Sequence, residues 1–183
     1  AEGFAERYAT RLPADTIAIA RALAANITRY LDWTPSAQSV VHGDFRLDNL
    51  VLDEREPARI LGVLDWEMVT VGDPLMDLGT TLGYWMSADT GDELLSMPFN
   101  PRVLMENVTR QELVGMYADA LGRAVPDMLF YYVFGTFKIA VIAQQIYARY
   151  VKGFTRDARF ASFNRFVAAL GRIAANAIER GSI

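Results

Sequence analysis

Cysteine is absent from the 183 residues. That removes disulfides, thiol nucleophiles and cysteine-based metal sites. It also fits a reducing compartment, and the expected location is cytoplasmic. Histidine occurs once, at His42. A metal-dependent hydrolase would normally gather several histidines, so that class is disfavoured. Lysine is nearly absent too, with Lys138 and Lys152 the only examples. No long basic run occurs, and the formal charge of -4 argues against nucleic acid as a partner. The most apolar run, Met128 to Phe137, is far shorter than a membrane span and continues into Lys138. A buried helix is expected there, and no membrane partner. Neither G-x-G-x-x-G nor G-x-x-x-x-G-K-[ST] is found. No signal-peptide pattern opens the chain. It begins at Ala1 rather than Met and reads as part of a longer protein.

What is present is a globular composition, 52% hydrophobic and 22% charged. One domain over 1–183 is expected. Apolar residues at Ala20, Leu23, Ile27 and Tyr30 or Leu31 predict an amphipathic helix over about Ala14 to Leu31. "SVV" (Ser39 to Val41) reads as a short strand. "NLVLD" and "RILGVLDW" read as a hairpin with Pro57 in its turn. Asp73 and Pro74 start a helix as N-cap and first helical residue. Thr109 and Glu112 have capping-box spacing, ahead of a helix that stops before Gly122. Pro126 is expected to open a long helix to about Val151, and Asp157 to Arg180 to form the last one. Phe130, Tyr131, Phe134 and Phe137 read as core. The acidic stretch with Asp89, Asp92 and Glu93 reads either as a solvated loop or as an attractor for a cationic substrate. The predicted fold class is α+β, mainly α, with a small β-hairpin.

The densest chemistry lies in "VVHGDFRLDNL" (Val40 to Leu50). His42, Asp44, Arg46 and Asn49 follow one another between apolar flanks. A hairpin from Asn49 through Leu64 would fold Asp65 back towards Asn49 and leave Asp44 just beyond. An aspartate base, an asparagine oxygen and a second carboxylate around one point are the residue types that phosphoryl transfer needs. Hard oxygen donors suit Mg²⁺, which completes its shell with phosphates and water.

"HGDFRLDN", "LDWE" and "GDPLMDLG" together resemble the aminoglycoside phosphotransferase family, and within it the phosphotransferase-type domains related to those fused to some acyl-CoA dehydrogenases. The resemblance implies a protein-kinase-like C-terminal lobe whose hairpin carries the catalytic loop. It implies Asp44 as catalytic base, and Asn49 and Asp65 as ligands of a Mg²⁺ bound with ATP or another nucleoside triphosphate. Arg46 would either neutralise charge near the transferring phosphate or stand solvated. Asp77 would hydrogen-bond the catalytic-loop backbone, and His42 would brace the loop. Gly43 stands where protein kinases carry an arginine, and Trp66-Glu67 where they carry Phe-Gly.

The family also uses a glycine-rich lid and a phosphate-pairing lysine, carried on strands before the catalytic loop. Those parts are not found here, so the N-terminal lobe is expected from the parent protein and the isolated chain is expected to fold without transferring phosphate. The surface facing that lobe should be partly apolar and open to self-association, including a homodimer. The expected acceptor is a small-molecule hydroxyl, and the sequence does not choose among an aminoglycoside-like amine, a sugar, choline and a hydroxyacyl group. A non-catalytic kinase-like binding domain is the rival reading. Retention of Asp44, Asn49 and Asp65 counts against it.

Overall fold

The computed structural model describes residues 38–85 and 108–183. The helix expected near Ala14 to Leu31 and the acidic stretch at Asp89, Asp92 and Glu93 lie outside the described residues. Strand β1 (Ser39–Val41) pairs antiparallel with β4 (Thr70–Gly72), with Val41 opposite Thr70. This pairing was not among the elements expected from local pattern. Strand β2 (Leu50–Leu52) pairs with β3 (Ile60–Val63), Leu50 opposite Val63, and a bulge follows Val51. The connecting turn is built by Asp53, whose Oδ1 accepts from the N–H groups of Arg55 and Glu56 at 2.9 and 3.3 Å.

Four helices among the described residues form the base. They are α1 (Leu75–Tyr84), α2 (Arg110–Leu121), α3 (Leu129–Val151) and α4 (Phe163–Arg180). Asp73 Oδ1 accepts from Leu75 N at 2.9 Å, which caps α1. Asp73 does more than cap. It is buried, and its Oδ2 accepts from the Tyr131 hydroxyl at 2.9 Å, tying α1 to α3. At α2 the capping box forms in both directions, Glu112 N to Thr109 Oγ1 at 3.2 Å and Thr109 N to Glu112 Oε2 at 2.8 Å. Gly122 ends that helix in the left-handed conformation. Two helix starts differ from expectation. Asp127 Oδ1 takes the Leu129 N–H, so α3 begins at Leu129 rather than at Pro126. A 3₁₀ turn, Ala158–Ser162, precedes α4 because Asp157 caps Arg159.

Leu75, Leu78 and Leu82 of α1 pack with Tyr131, Tyr132 and Val133 of α3 and with Ala174 and Ala177 of α4. Further along, Ile139, Ala140 and Ala143 meet Phe166, Val167 and Leu170. By length and composition α3 could cross a membrane, the one such helix among the described residues. Its place here is central, between α1 and α4, as a core helix. Two glycines bring α1 and α3 into backbone contact. A Cβ on Gly79 would stand 2.2 Å from the Tyr131 carbonyl oxygen, and one on Gly135 would stand 2.3 Å from the Gly79 oxygen.

Within α3, Gln144 is fully buried and neither amide atom meets a hydrogen-bond partner among the described residues. A buried unpaired polar group costs about 1–3 kcal/mol, whereas an apolar side chain of similar shape carries no such penalty. Gln144→Met is therefore expected to raise the melting temperature by a few degrees. A fall of that size in a thermal scan would contradict the burial argument.

Candidate active site

The polar loop runs from the end of β1 to the start of β2, and three elements hold it. From α1, the Asp77 carboxylate accepts the His42 N–H at 2.6 Å and the Gly43 N–H at 2.8 Å. From the end of β3, the Leu64 carbonyl pairs with His42 Nε2 at 2.8 Å. From α3, the Lys138 ammonium donates to the Gly43 carbonyl. Within the loop, Asp44 N donates to His42 Nδ1 at 3.2 Å. Both ring nitrogens of His42 are thus engaged in holding the loop, Nδ1 as the acceptor from Asp44 N. Thr81 adds a hydroxyl bond to the Phe45 carbonyl at 2.7 Å.

Gly43 has φ +86, and a Cβ there would lie 2.6 Å from the Met68 carbonyl oxygen. Conformation and space both require glycine, so the arginine of protein kinases has no room at this position. The Trp66 ring, whose centroid is 4.6 Å from that of His42, covers the brace from the other side and donates its indole N–H to the Val63 carbonyl at 2.8 Å.

Asp44 and Asn49 come together directly. Asn49 Nδ2 donates to the Asp44 carbonyl at 2.9 Å and to Asp44 Oδ2 at 3.2 Å. This turns the amide nitrogen inward and leaves Asn49 Oδ1 available. Asp44 Oδ1 is buried with no hydrogen-bond partner among the described residues. Such an oxygen is costly to retain unless a ligand supplies a donor. Asp65 follows Leu64, whose N–H donates to the Asn49 carbonyl at 2.8 Å. The hairpin thus closes Asp65 onto the Asn49 end. Asp65 itself is exposed and sits at φ 64, ψ 53, the only non-glycine with positive φ among the described residues. Aspartate tolerates that region better than most side chains, and outliers of this kind gather at functional sites. Arg46 pairs with Asp48, and its guanidinium lies 4.4 Å over the Tyr84 ring.

Two residues at this site escaped the reading by motif. Tyr84, at the end of α1, lies beside Asp44 and Arg46. Burial, and then the Asp44 charge, push its phenol up to about 12, with Arg46 opposing. It stays protonated at neutral pH. Lys138 lies 95 residues from Gly43 in sequence. Burial pushes its ammonium pKa down, and the charges of Asp44 and Asp77 pull the other way. The available signal was a lysine directly after the most apolar run, in a chain that has only one other. Lys138, Gly43, Asp77 and Phe134 share the wall of a cavity of about 420 Å³ beneath the loop.

A hairpin bearing a braced polar loop, set on a helical base, is the arrangement of a kinase-like catalytic lobe. Residues 2–125 match the sequence profile of the Phosphotransferase enzyme family, and the chain belongs to that family. It is 38% identical over 122 residues to acyl-CoA dehydrogenase family member 11 of Gallus gallus, across 63% of this chain and 15% of that protein. It is 33% identical over 139 residues to family member 10 of Mus musculus, across 68% of this chain and 12% of that protein. The chain therefore spans a small fraction of these relatives. A crystal structure from Ralstonia eutropha JMP134, named for the aminoglycoside phosphotransferases, superposes with TM-score 0.69 at 28% identity. That match covers 96% of this chain and 54% of the other. An aminoglycoside phosphotransferase in ternary complex with AMP-PNP and hygromycin B shares the fold, with TM-score 0.51 at 18% identity over 92% of this chain and 48% of the other.

Proposed function

We propose that this chain is the C-terminal, catalytic-loop lobe of an ATP-dependent phosphotransferase acting on a small-molecule hydroxyl. The observation that carries the proposal is the Asp44–Asn49 pair at the hairpin mouth, with one buried Asp44 oxygen unpaired and Asp65 closed onto the same end. In the proposed reaction Asp44 accepts the proton of the acceptor hydroxyl as its oxygen attacks the γ-phosphorus. The bond from that phosphorus to the β-phosphate oxygen breaks, and the nucleoside diphosphate leaves. Arg46, held over Tyr84 and paired with Asp48, stands close enough to the loop to offset charge on the transferred group.

Asn49 and Asp65 fit Mg²⁺ by donor type, since each offers a hard side-chain oxygen with no hydrogen bond among the described residues. When bound with nucleotide, Mg²⁺ would neutralise phosphate charge. No group of three or more His, Cys, Asp or Glu side chains suited to a metal occurs among the described residues. Two protein ligands are too few for tight binding alone, so metal and nucleotide are expected to bind together. Asp65→Asn is the informative variant, because asparagine also tolerates the left-handed backbone of this position. In the full-length parent it is expected to weaken Mg-ATP binding by on the order of tenfold or more, about 1.4 kcal/mol. Calorimetry giving unchanged Mg-ATP affinity would remove Asp65 from the site.

The N-terminal lobe of the parent is the partner this reading requires. Leu52, Ile60, Leu61, Leu64 and Trp66, on the hairpin and just after it, are all exposed. Such a face is what a second lobe would cover, and it is also where an isolated chain would self-associate.

A further inference from the structure

Resting on that reading of the site, we propose that Lys138 is a positioning residue of the catalytic loop: by holding the Gly43 carbonyl it fixes the plane of the Gly43–Asp44 peptide and so the aim of the Asp44 carboxylate. The peptide has two polar atoms, and each has its own holder. The Asp44 N–H is taken by His42 Nδ1 at 3.2 Å, and the Gly43 carbonyl by the Lys138 ammonium. Asp77 secures the preceding N–H of Gly43 at 2.8 Å. Glycine at φ +86 turns more freely than any other residue, so its orientation has to come from outside. With Lys138 removed, the carbonyl loses its only hold among the described contacts, and the 43–44 peptide is free to rock about the His42 bond.

The support is stiff because of where Lys138 sits on α3. Gly135, three residues earlier, is in backbone contact with Gly79 of α1, and Asp77 lies two residues before Gly79. One close helix crossing therefore locates both holders of the loop. The charge is also used. Lys138 lies among Asp44 and Asp77, and both carboxylates favour its ammonium form against burial. A neutral side chain at 138 would leave those carboxylates without that cation.

A positioning role makes a prediction that a merely structural one does not. Misplacing a catalytic group by about 1 Å costs roughly 100-fold in rate without a matching loss of substrate binding. In the full-length parent, with ADP release from Mg-ATP as the readout and water as probe acceptor, Lys138→Met is expected to lower kcat by roughly 10- to 100-fold. KM for Mg-ATP should stay within about threefold. Lys138→Arg, which restores a cationic donor, should recover most of the loss. If Lys138→Met does not fold, Lys138→Gln takes its place in the same comparison. Turnover within about threefold of wild type, a KM that rises in step with the loss, or a loss that Lys138→Arg does not relieve would each overturn the proposal. Asp44→Asn run in parallel separates the two claims. If Asp44→Asn retains turnover, the reading of the site itself fails. If it is inactive while Lys138→Met is normal, only the Lys138 assignment fails.

Discussion

Asp44→Asn in the full-length parent is expected to lower kcat by on the order of 10³ or more, about 4 kcal/mol of barrier, while leaving the fold intact. The fold is spared because two of the loop bonds of residue 44 are backbone bonds, and the third, from Asn49 Nδ2 to Oδ2, is one that an asparagine oxygen can also accept. Its N–H goes to His42 Nδ1 and its carbonyl accepts from Asn49 Nδ2. The chemistry is not spared, for a reason the geometry makes specific. Asn49 Nδ2 already donates to Asp44 Oδ2 at 3.2 Å, so an asparagine at 44 must keep its oxygen on that side. Its NH₂ then occupies the place of Oδ1, the buried oxygen without a donor. A group that could take a proton becomes one that offers two. Steady-state kinetics and a circular dichroism melt together check this. Near-normal turnover by a well-folded Asp44→Asn protein would remove Asp44 as the base.

The second large effect lies where α1 crosses α3. Gly79→Ala would place its Cβ 2.2 Å from the Tyr131 oxygen and 2.5 Å from the Tyr131 carbonyl carbon. Gly135→Ala would meet the Gly79 oxygen at 2.3 Å and its carbon at 2.5 Å. Both obstacles are backbone, so no rotamer change relieves them, and the helices must separate. Overpacking costs about 1–3 kcal/mol where side chains can adjust and more where they cannot. Each variant is expected to lose at least about 3 kcal/mol, or roughly 6–12 °C of melting temperature in a chain of this size. Gly115, on the exposed side of α2, is the control, since none of the described residues comes within 4 Å of its added Cβ. Gly115→Ala should stabilise by up to about 1 kcal/mol through helix propensity. Equal melting temperatures for Gly135→Ala and Gly115→Ala would refute the close-crossing argument. Because Asp77 and Lys138 both lie near this crossing, any Gly79 or Gly135 variant that folds should also lose activity.

The parts of the lobe that were legible in the sequence are the local ones. Residues His42 to Asn49 lie close together along the chain, and the hairpin that brings Asp65 back is one turn long. Asp77, reached through a helix start marked by Asp73 and Pro74, stands on the first turn of α1. The capping box of Thr109 and Glu112 spans a single helical turn. What stayed hidden depends on distance along the chain. Val41 pairs with Thr70 across the whole hairpin, and strands this short carry little pattern of their own. Gly79 and Gly135 are matched only in space. Lys138 looks like an interruption of an apolar helix until α3 is laid against the loop. Helix starts moved by a few residues because side chains such as Asp127 and Asp157 form local turns that compete with the first helical turn.

The lobe is proposed to serve transfer of a phosphoryl group rather than binding alone. The most direct measurement follows the label from γ-labelled ATP in the full-length parent with Mg²⁺ and a panel of small hydroxyl compounds. Label is expected to pass to an acceptor in the wild type, Asp44→Asn to abolish the transfer, and the 183-residue chain alone to transfer none. Label that never leaves ATP for any acceptor or water in the wild type, or transfer that persists undiminished in Asp44→Asn, would contradict the proposal.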